Sequence, residues 1–83
     1  MNSTELKASL RIGDQVTYWC ANPASANVNA PVRVPWEAPE NGYSGVIVGL
    51  GEYSAEVRES WDAPLYRVYY RDILSVNGQV QSE

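Results

Sequence analysis

Apolar residues along this chain are concentrated in three short segments that have the pattern of β-strands. The segments are residues 12–20, 45–50 and 65–74, and each follows a turn signal. In the first segment Ile12, Val16 and Tyr18 fall on one side of the pleat, because successive side chains of a strand point to opposite faces. No segment has a helical period strong enough to compete. The pattern predicts an all-β chain.

The third segment also predicts which side chains face the core. Tyr66, Val68 and Tyr70 share one face, and Arg67, Tyr69 and Arg71 share the other. Burying unpaired guanidinium groups costs a large amount of free energy. We therefore expect the first face to point into the core and the second to point outward or into an interface.

Turn residues separate the strand patterns. Gly13-Asp14 interrupts the first alternation and predicts a bulge or a tight bend. Asn41-Gly42 and Asn77-Gly78 have the form of hairpin turns. A tight turn at residues 72–74 is predicted to precede the last strand.

A chain of 83 residues is long enough for one core and too short for two. We place the domain at residues 10–77. The N-terminal segment, 1–9, is expected to be flexible, with at most a short helical turn. The C-terminal segment, 78–83, is expected to be a tail.

Residues 21–44 form a long connection between the first two strand patterns. It holds four prolines and three asparagines before Glu40, which exclude a regular helix or a central strand. Loops of this length are usually functional or disordered. The connection is therefore the expected place for variable recognition, and the sequence leaves open whether it is ordered.

Every aromatic side chain of this protein carries a polar group, since the chain has three Trp, six Tyr and no Phe. Each ring carries an N–H or O–H group that needs a partner when buried, so such rings tend to lie partly at the surface. This composition is typical of small barrels whose cores reach the surface, and also of binding interfaces.

Charge and the missing residue types exclude several functions. Ten acidic and six basic residues give a net charge of −4, which disfavours binding to a phosphate backbone. The chain has no His and one Cys, Cys20, so the sequence offers no disulfide, no metal site and no catalytic triad. We predict no catalytic residue, no metal and no cofactor.

The candidate ligand-binding residues are aromatic side chains next to acidic ones. They are Trp19, Trp36, Tyr43 and Trp61, with Glu37, Glu40 and Asp62 nearby. Shallow aromatic grooves flanked by carboxylates accept extended Pro-rich peptides that carry a basic residue. The pattern Trp, acid, Ala, Pro occurs at 36–39 and again at 61–64. It fits two sides of one groove, two Trp lids that close the ends of a barrel, or a chance match of four residues.

Short blocks of this sequence resemble small SH3-like β-barrels, and among them the type II dihydrofolate reductases encoded on plasmids and integron cassettes. The first block, Ile12-Gly13-Asp14-Gln15-Val16, is similar to the family's Met-Gly-Asp-Arg-Val. The second, Gly45-Val46-Ile47-Val48-Gly49, is similar to its Gly-Gln-Ile-Val-Gly. The third, Arg67-Val68-Tyr69, is similar to its Gln-Ile-Tyr. Together with the strand pattern, the resemblance predicts a small SH3-like barrel of about five strands. A long Pro-rich loop then follows the first strand.

The resemblance also implies an activity and a set of site residues. The family forms a tetramer around one pore that binds folate and NADPH. Carried over, Arg67 replaces the Gln, Val68 replaces the Ile whose backbone meets the nicotinamide, and Tyr69 matches the Tyr. The chain departs from the family at Tyr18 and Trp19, which stand where the family has its Lys pair.

From these observations we expect a non-enzymatic binding module of mobile-element origin, which acts on a protein, a peptide or a small ligand. The alternative is a divergent reductase that binds NADPH and folate. Residues Arg67–Arg71 are expected to support a homo-oligomer. The sequence shows no signal peptide and no apolar run long enough for a membrane span, which predicts a cytoplasmic protein.

Overall fold

The computed structural model describes residues 3–24 and 30–80, and in these residues the chain is mostly β. The strands are β1 (Gln15–Tyr18), β2 (Asn22–Pro23), β3 (Tyr43–Leu50), β4 (Ser54–Arg58), β5 (Leu65–Tyr69), β6 (Ile73–Val76) and β7 (Gln79–Val80). One helix, α1 (Ser3–Ser9), precedes them, and two short 3-10 helices cover Pro35–Glu37 and Tyr70–Asp72. The prediction of a mostly β chain is confirmed.

The strands form one antiparallel sheet in the order β2, β5, β4, β3, β1, β6, β7. Strands β3, β4 and β5 follow one another as neighbours, and β6 returns to pair with β1. Among the residues described, β2 and β7 end the sheet and are not paired with each other, so the sheet is not closed. There are seven strands rather than about five because the two-residue strands β2 and β7 extend the sheet at its edges.

One face of the sheet carries the core. Buried and exposed side chains alternate along β1, β4 and β5, as expected for a sheet with one covered face. The buried apolar residues are Leu6, Leu10, Val16, Tyr18, Ala21, Ile47, Ala55, Val57, Tyr66, Val68, Tyr70 and Ile73. The inward and outward faces predicted for residues 66–71 are confirmed, since Arg67, Tyr69 and Arg71 are exposed.

The inward position predicted for Ile12 is wrong. Its side chain is 68% exposed, because β1 begins only at Gln15 and Ile12 lies in the turn before it. The main-chain N–H of Asp14 donates to the carbonyl oxygen of Arg11 at 3.1 Å, and Gly13 has a φ of 99°. The tight bend predicted at Gly13-Asp14 is therefore present and separates Ile12 from the strand.

The N-terminal segment contains α1, where the sequence favoured a flexible lead-in. Leu6 and Leu10, one helical turn apart, are both buried in the core. The N–H of Leu10 donates to the carbonyl oxygen of Leu6 at 3.0 Å. The short helical turn considered for this segment is thus present, and it packs near the 3-10 helix Tyr70–Asp72.

The last turn of the described chain is a hairpin. Asn77 has a φ of 52° and Gly78 a φ of 84°, the left-handed conformation that a two-residue hairpin turn requires. The turn brings Gln79–Val80 back as β7 beside β6, where the sequence indicated a tail. Residues 81–83 of that predicted tail lie outside the described residues.

The described part of the long connection is attached to the sheet. Strand β2 pairs with β5 at the edge, a position that tolerates its proline. Ala21 and Arg33 form an isolated bridge, with hydrogen bonds of 3.0 and 2.9 Å between their main chains. The 3-10 helix Pro35–Glu37 follows, and β3 begins at Tyr43. Residues 25–29 lie outside the described residues.

Candidate functional site

The centre of the candidate site is an ion pair between Arg33 of the long connection and Glu59, the residue after β4. The guanidinium Nη2 donates to Glu59 Oε1 at 2.6 Å, and Nε donates to Oε2 at 3.1 Å. Two parallel bonds of this kind fix orientation as well as distance.

Tyr18 of β1 also binds the Glu59 carboxylate. Its side chain is fully buried, and its hydroxyl donates to Glu59 Oε2 at 2.8 Å. Burial and this hydrogen bond to an anion both raise the pKa of Tyr18 above its ordinary value. The phenol therefore remains a donor to Glu59 across the neutral and mildly alkaline range.

Two further tyrosines hold the guanidinium and the chain around it. The Arg33 Cζ atom lies 5.5 Å from the ring centroid of Tyr43 and 5.2 Å from that of Tyr66, within the range of cation–π attraction. The Tyr43 hydroxyl donates to the carbonyl oxygen of Val34 at 2.7 Å, and the Tyr66 hydroxyl donates to that of Pro31 at 2.7 Å. We call Tyr18, Arg33, Tyr43, Glu59 and Tyr66 the Arg33 cluster.

The Arg33 cluster joins the two segments that carry the exposed tryptophans. Trp36 follows Arg33 by three residues, and Trp61 follows Glu59 by two. Their side chains are 82% and 87% exposed, although Trp is on average a highly buried residue. The cluster thus presents two indole rings to solvent on neighbouring segments of the molecule.

Acidic side chains accompany both tryptophans. Glu37 and Glu40 lie beside Trp36, Asp62 follows Trp61, and all three are exposed. The Asp62 carboxylate accepts a hydrogen bond from the Ser60 hydroxyl at 2.8 Å. None of the three carboxylates forms an ion pair with a described cation. The surface is therefore both aromatic and negatively charged.

Trp19 and Tyr69 belong to a different patch. The main-chain N–H of Trp19 donates to the carbonyl oxygen of Asp72 at 3.2 Å. Cζ of the neighbouring Arg71 lies 5.5 Å from the centroid of the Tyr69 ring. Both aromatic side chains are 40% exposed. Burial and a hydrogen bond with Asp72 raise the pKa of the nearby Cys20 thiol.

The three residues taken from the reductase resemblance have different environments. Arg67 is exposed on the outward face of β5, opposite Glu56 of β4 and Asn22 of β2. Val68 is fully buried, so only its backbone is left to meet a ligand. Tyr69 is exposed and stacks with Arg71. The predicted ligand-binding residues therefore do not form one site. Tyr43 belongs to the Arg33 cluster, and Trp36 and Trp61 lie on the two segments that the cluster joins. Arg67 is exposed on β5 and Val68 is buried in the core, while Trp19 and Tyr69 lie elsewhere on the surface.

Sequence reasoning placed Tyr43 among the ligand contacts, and it missed the role of its partners. The sequence pattern places Arg33 in the long connection 21–44 and gives Glu59 no assigned role. One signal was available, because Arg33 is the only basic residue between Arg11 and Arg58. A lone cation flanked by valines in a long connection indicates a specific anionic partner.

The chain was also compared with known proteins. No family model, no curated protein and no solved structure matches it. In the part of the chain that the structure describes, no group of three or more His, Cys, Asp or Glu residues is placed to hold a metal ion. No helix in that part is long and apolar enough to cross a membrane.

Proposed function

We propose that this protein is a small binding module built on an SH3-like barrel. The order of the five longer strands supports the barrel, because β1, β3, β4 and β5 form a meander and β6 returns to β1. The 3-10 helix Tyr70–Asp72 between β5 and β6 supports it too, because a tight turn is expected before the last strand of such a barrel. It lies two residues earlier than the turn predicted at 72–74, since β6 already begins at Ile73. Small barrels of this class serve many functions, so the function is argued from the surface.

The observation that carries the proposal is the exposure of Trp36 and Trp61 beside an ordered cluster. Holding two large apolar rings in water has a free-energy cost that ligand binding removes. Tyr and Trp are also the residues most enriched at the energetic centres of interfaces. The two rings are therefore the proposed ligand contacts.

The ligand that fits this surface best is a basic, extended segment of a partner protein. Glu37, Glu40 and Asp62 offer carboxylates without a cationic partner among the described residues. A Lys or Arg side chain of the ligand can pair with them and can also lie over an indole ring. An acidic ligand would meet repulsion from the same groups and from the overall charge of −4.

Binding of arrayed short peptides tests the proposal. One array carries fixed Lys or Arg and Pro positions, and a matched array carries Glu in place of each basic residue. We expect binding to members of the basic array only, and we expect loss of binding in both Trp36→Ala and Trp61→Ala. Absence of binding to every basic peptide, or binding that survives both substitutions, would contradict it.

The second candidate is a reductase that binds NADPH and folate. The observation that favours it is the exposure of Arg67 and Tyr69 on the outward face of β5. Incubation with NADPH and dihydrofolate, followed at the NADPH absorbance band, separates the candidates. Turnover that is lost in Tyr69→Phe would establish the reductase and reject the binding module.

A further inference from the structure

We propose that Arg33 and Glu59 are positioning residues, whose ion pair sets the place of Trp36 relative to Trp61. The inference deepens the proposed function and rests on it for its affinity measurement alone. Neither residue is taken to contact the ligand. Each acts through the tryptophan on its own segment.

Trp36 has no buried contact of its own that sets its position. Its side chain is exposed, and none of the residues of the 3-10 helix Pro35–Glu37 is buried. Because this helix buries no side chain of its own, its position depends on the residues just before it. Those residues, Pro31 to Val34, are tied to the sheet by the two tyrosine hydroxyls and by the Arg33 side chain.

The ion pair joins this segment to Glu59, which directly precedes the turn that carries Trp61. Tyr66 and Tyr43 bind the segment from β5 and β3, whereas Glu59 directly follows β4. That turn is closed by the N–H of Ala63, which donates to the carbonyl oxygen of Ser60 at 3.1 Å. The backbone of Trp61 thus lies in a hydrogen-bonded turn just after Glu59, and the backbone of Trp36 lies in a 3-10 helix that begins two residues after Arg33.

The Glu59 carboxylate depends on its negative charge to hold its partners. Its two oxygens accept three hydrogen bonds, two from Arg33 and one from Tyr18, and all three donors point at one carboxylate. In Glu59→Gln the amide nitrogen would face a donor, and the charge that attracts the guanidinium would be gone. The segment 31–37 would then lose its link to the turn while the sheet hydrogen bonds remain.

The test uses the full chain with 5-fluorotryptophan at its three tryptophans, whose fluorine resonances are assigned by single substitutions. Three variants are compared with the unsubstituted chain. Glu59→Gln breaks the pair. Glu52→Gln makes the same change at an exposed carboxylate of the β3–β4 turn. Ile47→Val weakens the core without touching the cluster, and so represents a loss of stability alone.

In Glu59→Gln we expect the Trp36 and Trp61 resonances to shift and the Trp19 resonance to stay. We expect its affinity for the basic peptide array to fall at least about tenfold, because the ligand must then order the segment. Glu52→Gln should leave the resonances and the affinity unchanged. Ile47→Val should lower the melting temperature and leave the affinity unchanged.

Unchanged Trp36 and Trp61 resonances in Glu59→Gln would overturn the inference whether or not a ligand is found. An equal loss of affinity in Ile47→Val at matched stability would also overturn it, because the pair would then act only through the fold. If the unsubstituted chain binds no basic peptide, the proposed function fails. The fluorine spectra then still decide the positioning role by themselves.

Discussion

Gly42 lies directly against the main-chain carbonyl oxygen of Tyr18. A methyl group at Gly42 would be 2.9 Å from that oxygen and 2.9 Å from Cδ1 of Leu74. The residue also has a φ of 86°, which side chains other than hydrogen rarely permit. The turn that delivers the chain into β3 therefore depends on glycine twice, for its backbone angle and for its contact with β1.

This arrangement predicts that Gly42→Ala is strongly destabilising. Backbone strain at a positive φ costs about 1–3 kcal/mol, and the contact with backbone atoms adds to it. Gly78→Ala is the matched control, because Gly78 has a φ of 84° but nothing within 4 Å of an added methyl group. Urea unfolding of both variants measures the difference. Equal losses of stability would show that the contact with Tyr18 contributes nothing.

The Arg33 cluster predicts a loss of stability at alkaline pH. A tyrosine whose pKa is raised on folding keeps its proton longer in the folded state than in the unfolded state, where the pKa is about 10. Its stabilising contribution is complete below about pH 10 and is lost as the pH rises through the folded value. The pKa of Tyr18 is raised most, by burial and by the hydrogen bond to Glu59, and burial raises the pKa of Tyr66 and Tyr70 as well.

Unfolding free energies of Tyr18→Phe and of the unsubstituted chain, measured from neutral to alkaline pH, test this account. At neutral pH we expect the variant to be less stable by about 1.5–3 kcal/mol, the usual contribution of a hydrogen bond to a charged group. The difference should shrink above about pH 10, because Phe has no proton to lose. Tyr53→Phe, at an exposed tyrosine, is the control. A constant difference across the pH range would reject the predicted titration.

The packing of α1 predicts that the N-terminal segment contributes to stability. Leu6→Ala removes a buried side chain and is expected to cost about 2–5 kcal/mol. Lys7→Ala, in the same helix, should change the stability by less than about 0.5 kcal/mol. Thermal unfolding of the two variants decides the point. If Leu6→Ala behaves like Lys7→Ala, the helix does not dock on the core.

The outward face of β5 predicts that Arg67 acts in association rather than in folding. We expect Arg67→Glu to lower the thermal stability by no more than about 1 kcal/mol, because an exposed strand residue loses little contact and the new carboxylate lies opposite Glu56. We expect the same substitution to shift the oligomeric state measured by sedimentation. Val68→Ala, at the buried neighbouring residue, should lower the thermal stability and leave the oligomeric state unchanged. A large fall in melting temperature in Arg67→Glu with an unchanged oligomer would contradict this placement.

Local alternation was a reliable guide where a strand has one buried face. The inward positions of Tyr66, Val68 and Tyr70 followed from the cost of burying the arginines between them, and the structure confirms them. Alternation failed at Ile12, where a turn intervenes before the strand. Alternation also gave no prediction for the burial of Leu6 and Leu10. Two leucines in a short polar segment do not indicate whether a core is available to cover them.

The candidate site was predictable only in part. The residue types and the neighbouring acids marked Trp36 and Trp61 as surface aromatics, and their high exposure agrees with that. Nothing in the local pattern indicated that Arg33 pairs with Glu59, which lies 26 positions further along the chain. Such a pair depends on which loop crosses which strand end.

The sequence by itself determined the main strand segments, the inward face of β5 and the turns at Gly13-Asp14 and Asn77-Gly78, because these depend on the period of neighbouring side chains and on the backbone preferences of glycine and asparagine. Only the tertiary structure decided that the long connection is tied to the sheet through Arg33, and that the segments carrying Trp36 and Trp61 are joined by an ion pair. Contacts between distant residues are fixed by how the whole chain packs around its core. No local pattern encodes that packing.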